Sequence, residues 1–286
     1  MQDLELLKIR TKHYKPIFNS LKKKKITYKE NLLLYEISIN KNDHLKLKKL
    51  VKNYIRCSIE KFYNIKLKPN FEYFKKFKKL LLDLPNITPN GVIVPKKENI
   101  KSYLKLQNYI FSLCKKYCLT KISDKIELCE VRLMRSNKYN YDSARSYSST
   151  KIHSDSWSGN PCDSKVVIFI DGDKNNTIEF FKPKKIDKSF FHKKKNYQNA
   201  IKKYGFKKIK KLNYKRLTIF DQACLHRTKN KDTSLRLSLD FGIMLKSIQN
   251  KKILLKRYKK RFLNKKVNLL DLKKILALKS IHEKFN

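Results

Sequence analysis

Between Lys125 and Met244 the chain breaks into short apolar runs separated by turn residues, and that punctuation constrains the fold more than any other feature. Lys125 to Met134 alternates in polarity, as a strand with one buried face does. Lys165-Val166-Val167-Ile168-Phe169-Ile170 is a continuous apolar run, Asp171 to Asn176 reads as a turn, and Thr177 to Phe181 returns as a further strand. Leu217 to Phe220 and Leu235 to Met244 supply two more. The lysine-rich insert between Pro183 and Lys215 reads as a loop with a short helix. Strands that follow one another without crossover helices predict an antiparallel sandwich or barrel.

On both flanks the period changes to that of a helix. In the segment from Asn42 to Ile65, Leu47, Leu50, Val51, Tyr54, Ile55, Ile59, Phe62 and Tyr63 recur at helical spacing, with Asn42 or Asp43 as the expected cap. Phe71 to Leu84 predicts a second helix closed by Pro85, and Glu98 to about Leu119 a third. The pattern is helical again from Lys251 onward, ending in Leu269 to Leu276. The expected organisation is an α+β fold: a helical N-terminal region at 1–125 packed on the core, a β core at 126–250, and a C-terminal helical extension at 251–286.

Composition narrows the class. A chain of 286 residues can bury a sizeable interior, and 41% hydrophobic with 12% aromatic residues is too apolar for a disordered polypeptide. No run of about eighteen apolar residues occurs, and the opening MQDLELLKIRTKHYK lacks an apolar signal core, so a cytoplasmic protein without a membrane span is expected. The formal charge is +46, and lysine supplies 60 of the 70 basic residues. Lys, Ile, Asn, Tyr and Phe abound while Ala, Gly and Pro are scarce, which AT-rich codons alone produce. Proteins that read nucleic acid favour arginine for bidentate contacts, whereas these lysines are spread throughout. The charge is therefore read as drift rather than as the mark of a nucleic-acid partner, although it would favour an anionic substrate. Six scattered cysteines without a CxxC pair are expected to be reduced thiols. Cys114 and Cys118 lie four apart on a predicted helix, but no second pair completes a tetrahedral site.

Chemistry concentrates in KIHSDSWSGNP, Lys151 to Pro161. On an extended segment residues two apart point to the same side, so His153 and Asp155 can reach one metal ion. Six histidines and 24 acidic residues in 286 give roughly 0.5 such pairs by chance, so the pair needs support from elsewhere. That support is LTIFDQACLHRTKNKDTSLRLSLDFG, Leu217 to Gly242. His226 completes a two-histidine, one-carboxylate set that suits Fe(II). Ten residues later Arg236 and Ser238 share one strand face, while Leu235, Leu237 and Leu239 take the other. An inward arginine is costly unless it binds something, and a guanidinium fork suits a carboxylate. Arg227 is the alternative anchor, set aside because on a strand it points away from His226. Trp157, the only tryptophan, either packs against the sheet or walls a pocket on which a substrate ring stacks, and Asn160 beside it is a candidate to orient a substrate hydroxyl. Among Arg132, Arg135, Asn137, Tyr139, Arg145 and Tyr147, Arg132 is the candidate for an anion contact because it alternates with Leu133 on a predicted strand. Asp221 and Asp240 are read as structural.

His153-x-Asp155, a distal His226 and Arg236-x-Ser238, in that order, resemble the Fe(II)- and 2-oxoglutarate-dependent oxygenases across residues 126 to 245. Within that superfamily the chain is similar to phytanoyl-CoA-hydroxylase-like enzymes, and HSDSWSGNP is similar to oxygenases of sporadic carbohydrate-biosynthesis clusters. The resemblance implies a double-stranded β-helix, or jelly-roll, in which His153, Asp155 and His226 hold Fe(II). It implies that Arg236 pairs with the distal carboxylate of 2-oxoglutarate, assisted by Ser238, with O2 as the other co-substrate; Arg132, chosen from its strand position, is the further candidate to contact the keto acid. Relatives that halogenate have a small residue where Asp155 stands, so hydroxylation or a similar oxidation is the implied reaction, and the expected substrate is a small molecule, a sugar or sugar conjugate. Two other readings are a demethylase of alkylated nucleic acid and a non-catalytic lysine-rich binding protein. The first departs from the sequence at Arg236-Leu237-Ser238-Leu239-Asp240, where demethylases carry two arginines with an asparagine; the second leaves the three-ligand set without a purpose.

Overall fold

A computed structural model describes residues 34–276 apart from 69, 70, 73, 75, 89, 122, 124, 135–148, 159–162, 174, 188, 191, 212–214, 230–234, 245–261, 264 and 275. The N-terminal half supplies β1 (Leu34–Ser38), α1 (Lys41–Phe62), α2 (Lys78–Leu82), β2 (Val92–Ile93), α3 (Ile100–Lys116), β3 (Lys125–Glu127) and β4 (Glu130–Met134). The remainder supplies β5 (Asp163–Gly172), β6 (Thr177–Pro183), α4 (Tyr197–Tyr204), β7 (Phe206–Lys211), β8 (Arg216–Asp221), β9 (Leu225–Lys229), β10 (Arg236–Met244) and β11 (Phe262–Leu263).

The strands form two antiparallel sheets. The larger has eight strands in the order β1-β8-β5-β10-β3-β11, with β4 also paired to β10 and β2 to β4; the smaller is β7-β6-β9. His153 and His226 form an isolated bridge that extends the small sheet beyond β9. From β4 onward the chain therefore visits large, small, large, small, small, large, small and large sheet in turn.

Side-chain parity sorts the interior into two cores. On β5, Val166, Ile168 and Ile170 enter the core beneath the helices, whereas Val167 and Phe169 enter the core between the sheets. That is why this run is apolar without alternation: both faces are covered. On β10 the parity is strict, with Leu237, Leu239, Phe241 and Ile243 all in the helix-side core. Arg236, Ser238 and Asp240 consequently turn toward the small sheet. The smaller core joins Phe220 of β8 to Phe180 of β6, whose rings lie 5.1 Å apart edge-on. Helices α1 and α3 cover the outer face of the large sheet through Leu47, Val51, Tyr54, Tyr103, Leu106 and Ile110.

Several sequence expectations change. The cap of α1 is Asn40, whose Oδ1 accepts the Asp43 N–H at 2.8 Å; Asp43 instead accepts from Tyr117 and Tyr109 on and beyond α3. Among the described residues of the stretch from Phe71 to Leu84, the helix covers Lys78–Leu82. Strands β1 and β2 arise within the region read as helical and join the large sheet. The predicted strand at 125–134 is interrupted at Leu128-Cys129, where α3 satisfies the broken backbone: Gln107 accepts the Cys129 N–H at 2.8 Å and Tyr103 donates to the Cys129 carbonyl at 2.6 Å. The lysine-rich insert contains a strand, β7, besides its helix. In the C-terminal stretch β11 is a strand, and residues 269–274 are helical.

Candidate metal centre

The bridge between residues 153 and 226 builds the site. His153 N–H donates to the His226 carbonyl at 3.0 Å and His226 N–H to the His153 carbonyl at 2.8 Å. Directly paired residues place their side chains side by side, and the two imidazole centroids are 4.4 Å apart. Each ring is then turned by a backbone carbonyl: His153 Nδ1 lies 2.8 Å from the Lys151 oxygen and His226 Nδ1 lies 2.9 Å from the Cys224 oxygen. A carbonyl only accepts, so each Nδ1 carries the proton and each Nε2 presents its lone pair.

Both Nε2 atoms face Asp155. His153 Nε2 is 3.7 Å from one carboxylate oxygen and His226 Nε2 is 3.8 Å from the other. The ligand atoms of the three residues lie within 4.8 Å of one another, and among the described residues no other group of three or more His, Cys, Asp or Glu converges in this way. Ligand bonds of about 2.1 Å place neighbouring donors of an octahedron roughly 3 Å apart, so a small contraction closes this set on a cation. Two neutral imidazoles and a carboxylate, with their outer nitrogens already hydrogen-bonded, fit a divalent first-row metal. Burial pushes the Asp155 carboxyl up, but nearby positive charge, from His226 and His153 when protonated and from Lys165 and Arg132, outweighs it and holds it below the usual carboxylate value. The carboxylate form is the one a metal needs.

The ligands open on a cavity of about 210 Å³ between the sheets, lined on the large-sheet side by Glu130, Arg132, Lys165, Arg236 and Asp240. Arg236 is only 1% exposed, and its guanidinium carbon lies 4.7 Å above the Phe169 ring. Ser238 is fully buried beside it, and its hydroxyl donates to Asp240 Oδ1 at 2.9 Å. Arg132 is held by two carboxylates, Glu130 at 2.7 Å and Asp240 at 3.0 Å. Burial works against its charge, but Asp240 and Glu130 prevail and raise its pKa. Arg227 lies outside this group: its guanidinium grips the buried Glu179 at 2.8 and 2.9 Å.

Trp157 does not line the cavity. It is fully buried in the smaller core, its indole N–H donates to the Phe190 carbonyl at 2.7 Å, and it offers no surface on which a substrate ring could stack. Asn160, Arg135, Asn137, Tyr139, Arg145, Tyr147 and Cys162 lie outside the described residues. Of the other cysteines, Cys114 is buried, with its thiol pushed up to about 12 by burial, and neither it nor Cys118 joins a ligand set. Asp221 accepts the Ala223 N–H at 2.8 Å in a turn.

Lys165, Glu130, Asp240 and Gln222 are cavity-lining residues that the sequence did not single out as such. Parity carries the signal for two of them: Lys165 shares a face with Val167, and Asp240 with Arg236 and Ser238. Gln222 has no such signal, because its backbone oxygen does the work, accepting from Ser154 Oγ at 2.9 Å and Ser156 N–H at 3.1 Å. A larger cavity of about 440 Å³ sits against β2 and the start of α3, lined by Ile93, Ile100, Tyr103 and Leu128, and holds none of the three ligands.

No protein-family model and no curated protein matches the sequence. Among solved structures the chain is similar to the non-heme alpha-ketoglutarate-dependent epimerase SnoN from nogalamycin biosynthesis, at 13% identity and a TM-score of 0.36, over 70% of this chain and 83% of that one. A likeness so distant leaves the assignment to the side chains. No helix among the described residues is long and apolar enough to cross a membrane.

Proposed function

We propose that the protein is a non-haem Fe(II)- and 2-oxoglutarate-dependent oxygenase with a double-stranded β-helix core, and that it hydroxylates a small molecule, a sugar or sugar conjugate. One observation carries the reading: His153 and His226 aim Nε2 at the two oxygens of Asp155 inside a cavity that also holds a buried arginine. The order in which the chain alternates between the sheets supports the β-helix, and it places β4, β5, β8 and β10 together in the large sheet.

Iron bound by the three ligands would supply dioxygen activation coupled to oxidation of the keto acid. The residues of this chain bind, orient and shield. Lys151 and Cys224 fix the imidazole tautomers through their carbonyls. Arg236 offers its planar fork to the distal carboxylate of 2-oxoglutarate, with the Phe169 ring holding the guanidinium flat. Ser238 acts through Asp240, which in turn restrains Arg132 on the neighbouring strand. Val167, Ile178 and Phe220 supply the apolar part of the wall.

Anaerobic addition of Fe(II) and 2-oxoglutarate should produce a weak visible charge-transfer band, and His226→Ala should abolish it. Absence of the band in the unaltered protein would overturn the assignment.

A further inference from the structure

The three ligands are not held alike. The histidines are fastened to each other through two backbone hydrogen bonds, whereas Asp155 opens the short 3-10 turn Asp155–Ser158 that follows the bridge. One side of that turn is secured to the β8–β9 connection by the Gln222 carbonyl. Its other side meets the insert between β6 and β7, and Trp157 makes the junction. The indole N–H donates to the Phe190 carbonyl at 2.7 Å, and the Lys194 N–H donates back to the Trp157 carbonyl at 3.0 Å. Phe190 and Tyr197 pack edge-on against the indole at 5.8 and 5.4 Å.

The insert is itself tied into a closed unit. Asp187 accepts from the Ser189 hydroxyl at 2.8 Å and from the Tyr204 hydroxyl at 3.0 Å. The Lys184 N–H donates to the Tyr204 carbonyl at 3.1 Å, and Asn196 caps α4. A firmly closed loop therefore grips the residue two positions after a metal ligand, from both its side chain and its backbone.

We propose that Trp157 is a positioning residue: through its paired hydrogen bonds the insert fixes the turn that presents Asp155, so metal binding and ordering of the insert are coupled. This rests on the metal-centre reading above. Coupling of this kind is reciprocal, so a metal that draws Asp155 inward must also steady the insert, and a loosened insert must weaken the metal. Outer residues that orient a ligand typically change metal affinity by about 10–100-fold when altered.

The test uses Co(II), whose visible spectrum reports coordination geometry. Trp157→Phe keeps an aromatic ring in the core and removes the indole donor. It should weaken Co(II) binding roughly tenfold or more and shift the Co(II) bands. Hydrogen exchange on the unaltered protein gives a second readout that survives if the variant fails to fold: Co(II) should slow exchange at the Lys194 amide and along Tyr197–Tyr204. Unchanged Co(II) affinity and spectrum in Trp157→Phe would reduce Trp157 to a core residue and overturn the coupling. So would unchanged exchange in the insert when Co(II) saturates the unaltered protein. If the unaltered protein takes up no Co(II), the metal-centre reading fails first, and separately.

Discussion

Two arginines are candidates for the proposed keto-acid contact, and their surroundings separate them. Arg236 stands on the inner face of β10, 1% exposed, beside the ligands in the same cavity. Arg227 neighbours His226 in the chain, but strand parity sends it to the opposite face, where Glu179 holds it by two nitrogens at 2.8 and 2.9 Å. Arg236→Met should therefore weaken 2-oxoglutarate binding by about 10–100-fold, the worth of a charge-assisted hydrogen-bond pair. Arg236→Lys should recover only part of it, because an ammonium keeps the charge and loses the fork. Arg227→Gln should leave 2-oxoglutarate affinity within about threefold, since a paired residue on the far face contributes little to the cavity. Titration of the visible band with 2-oxoglutarate reads all three. A larger loss from Arg227 than from Arg236 would reverse the assignment.

Arg236 owes its place to a junction between strands. Where β5 meets β10 the register slips between Leu237 and Ser238, so that Asp171 opposes Leu237 while Phe169 opposes Ser238. Ile170 keeps the helix-side parity of Val166 and Ile168, and beyond the slip Asp171 leaves the parity of Val167 and Phe169 to reach Lys48 of α1 at 2.7 Å. Gly172 ends the strand at φ +114°, and a Cβ there would lie 2.3 Å from the Leu235 carbonyl oxygen and 2.9 Å from Arg236 Cα. Gly172→Ala must push the start of β10 away or strain the backbone, at a cost of about 1–3 kcal/mol. Chemical denaturation should show that loss, and 2-oxoglutarate affinity should fall with it although His153, Asp155 and His226 are untouched. A variant with native stability and keto-acid affinity would mean that β10 gives way freely here. Such junctions were illegible in the sequence, which nonetheless announced β5 and β10 through apolar continuity and alternation. Strand β9, Leu-His-Arg-Thr-Lys, has a single apolar residue and exists because β6 and residue 153 pair with it. Strand β7, Phe-Lys-Lys-Ile-Lys-Lys, reads as a solvated lysine run: Phe206, Lys207, Lys208 and Lys211 are exposed, and pairing with β6 makes it a strand. The convergence of His153, Asp155 and His226 was legible, because metal chemistry admits few side chains. Their orientation was not, because the Lys151, Gln222 and Cys224 carbonyls that set it leave no mark on residue type.

The distribution of charge over the molecule separates cavity from surface. Basic residues outnumber acidic ones by 70 to 24 in the sequence. Among the described residues that line the cavity, Arg132, Lys165 and Arg236 are matched by Glu130, Asp155 and Asp240. Among the described residues the lysine excess therefore lies outside the cavity, where solvent and counterions screen it beyond roughly 10 Å at ordinary ionic strength. Two kinds of anion should then respond differently to salt. A polyanion such as heparin or an oligonucleotide displaces counterions from many exposed lysines, and its affinity should collapse by a factor of roughly 10³ or more between about 50 and 500 mM NaCl. If a buried fork and a metal hold the keto acid as proposed, its half-saturation should change by less than about threefold over the same range. Parallel measurement of heparin retention and of the 2-oxoglutarate titration distinguishes the two. If both affinities fall together, the diffuse lysine field and not Arg236 holds the keto acid. If only the polyanion is lost, the net charge of +46 is a property of the surface, and the chemistry of the cavity proceeds independently of it.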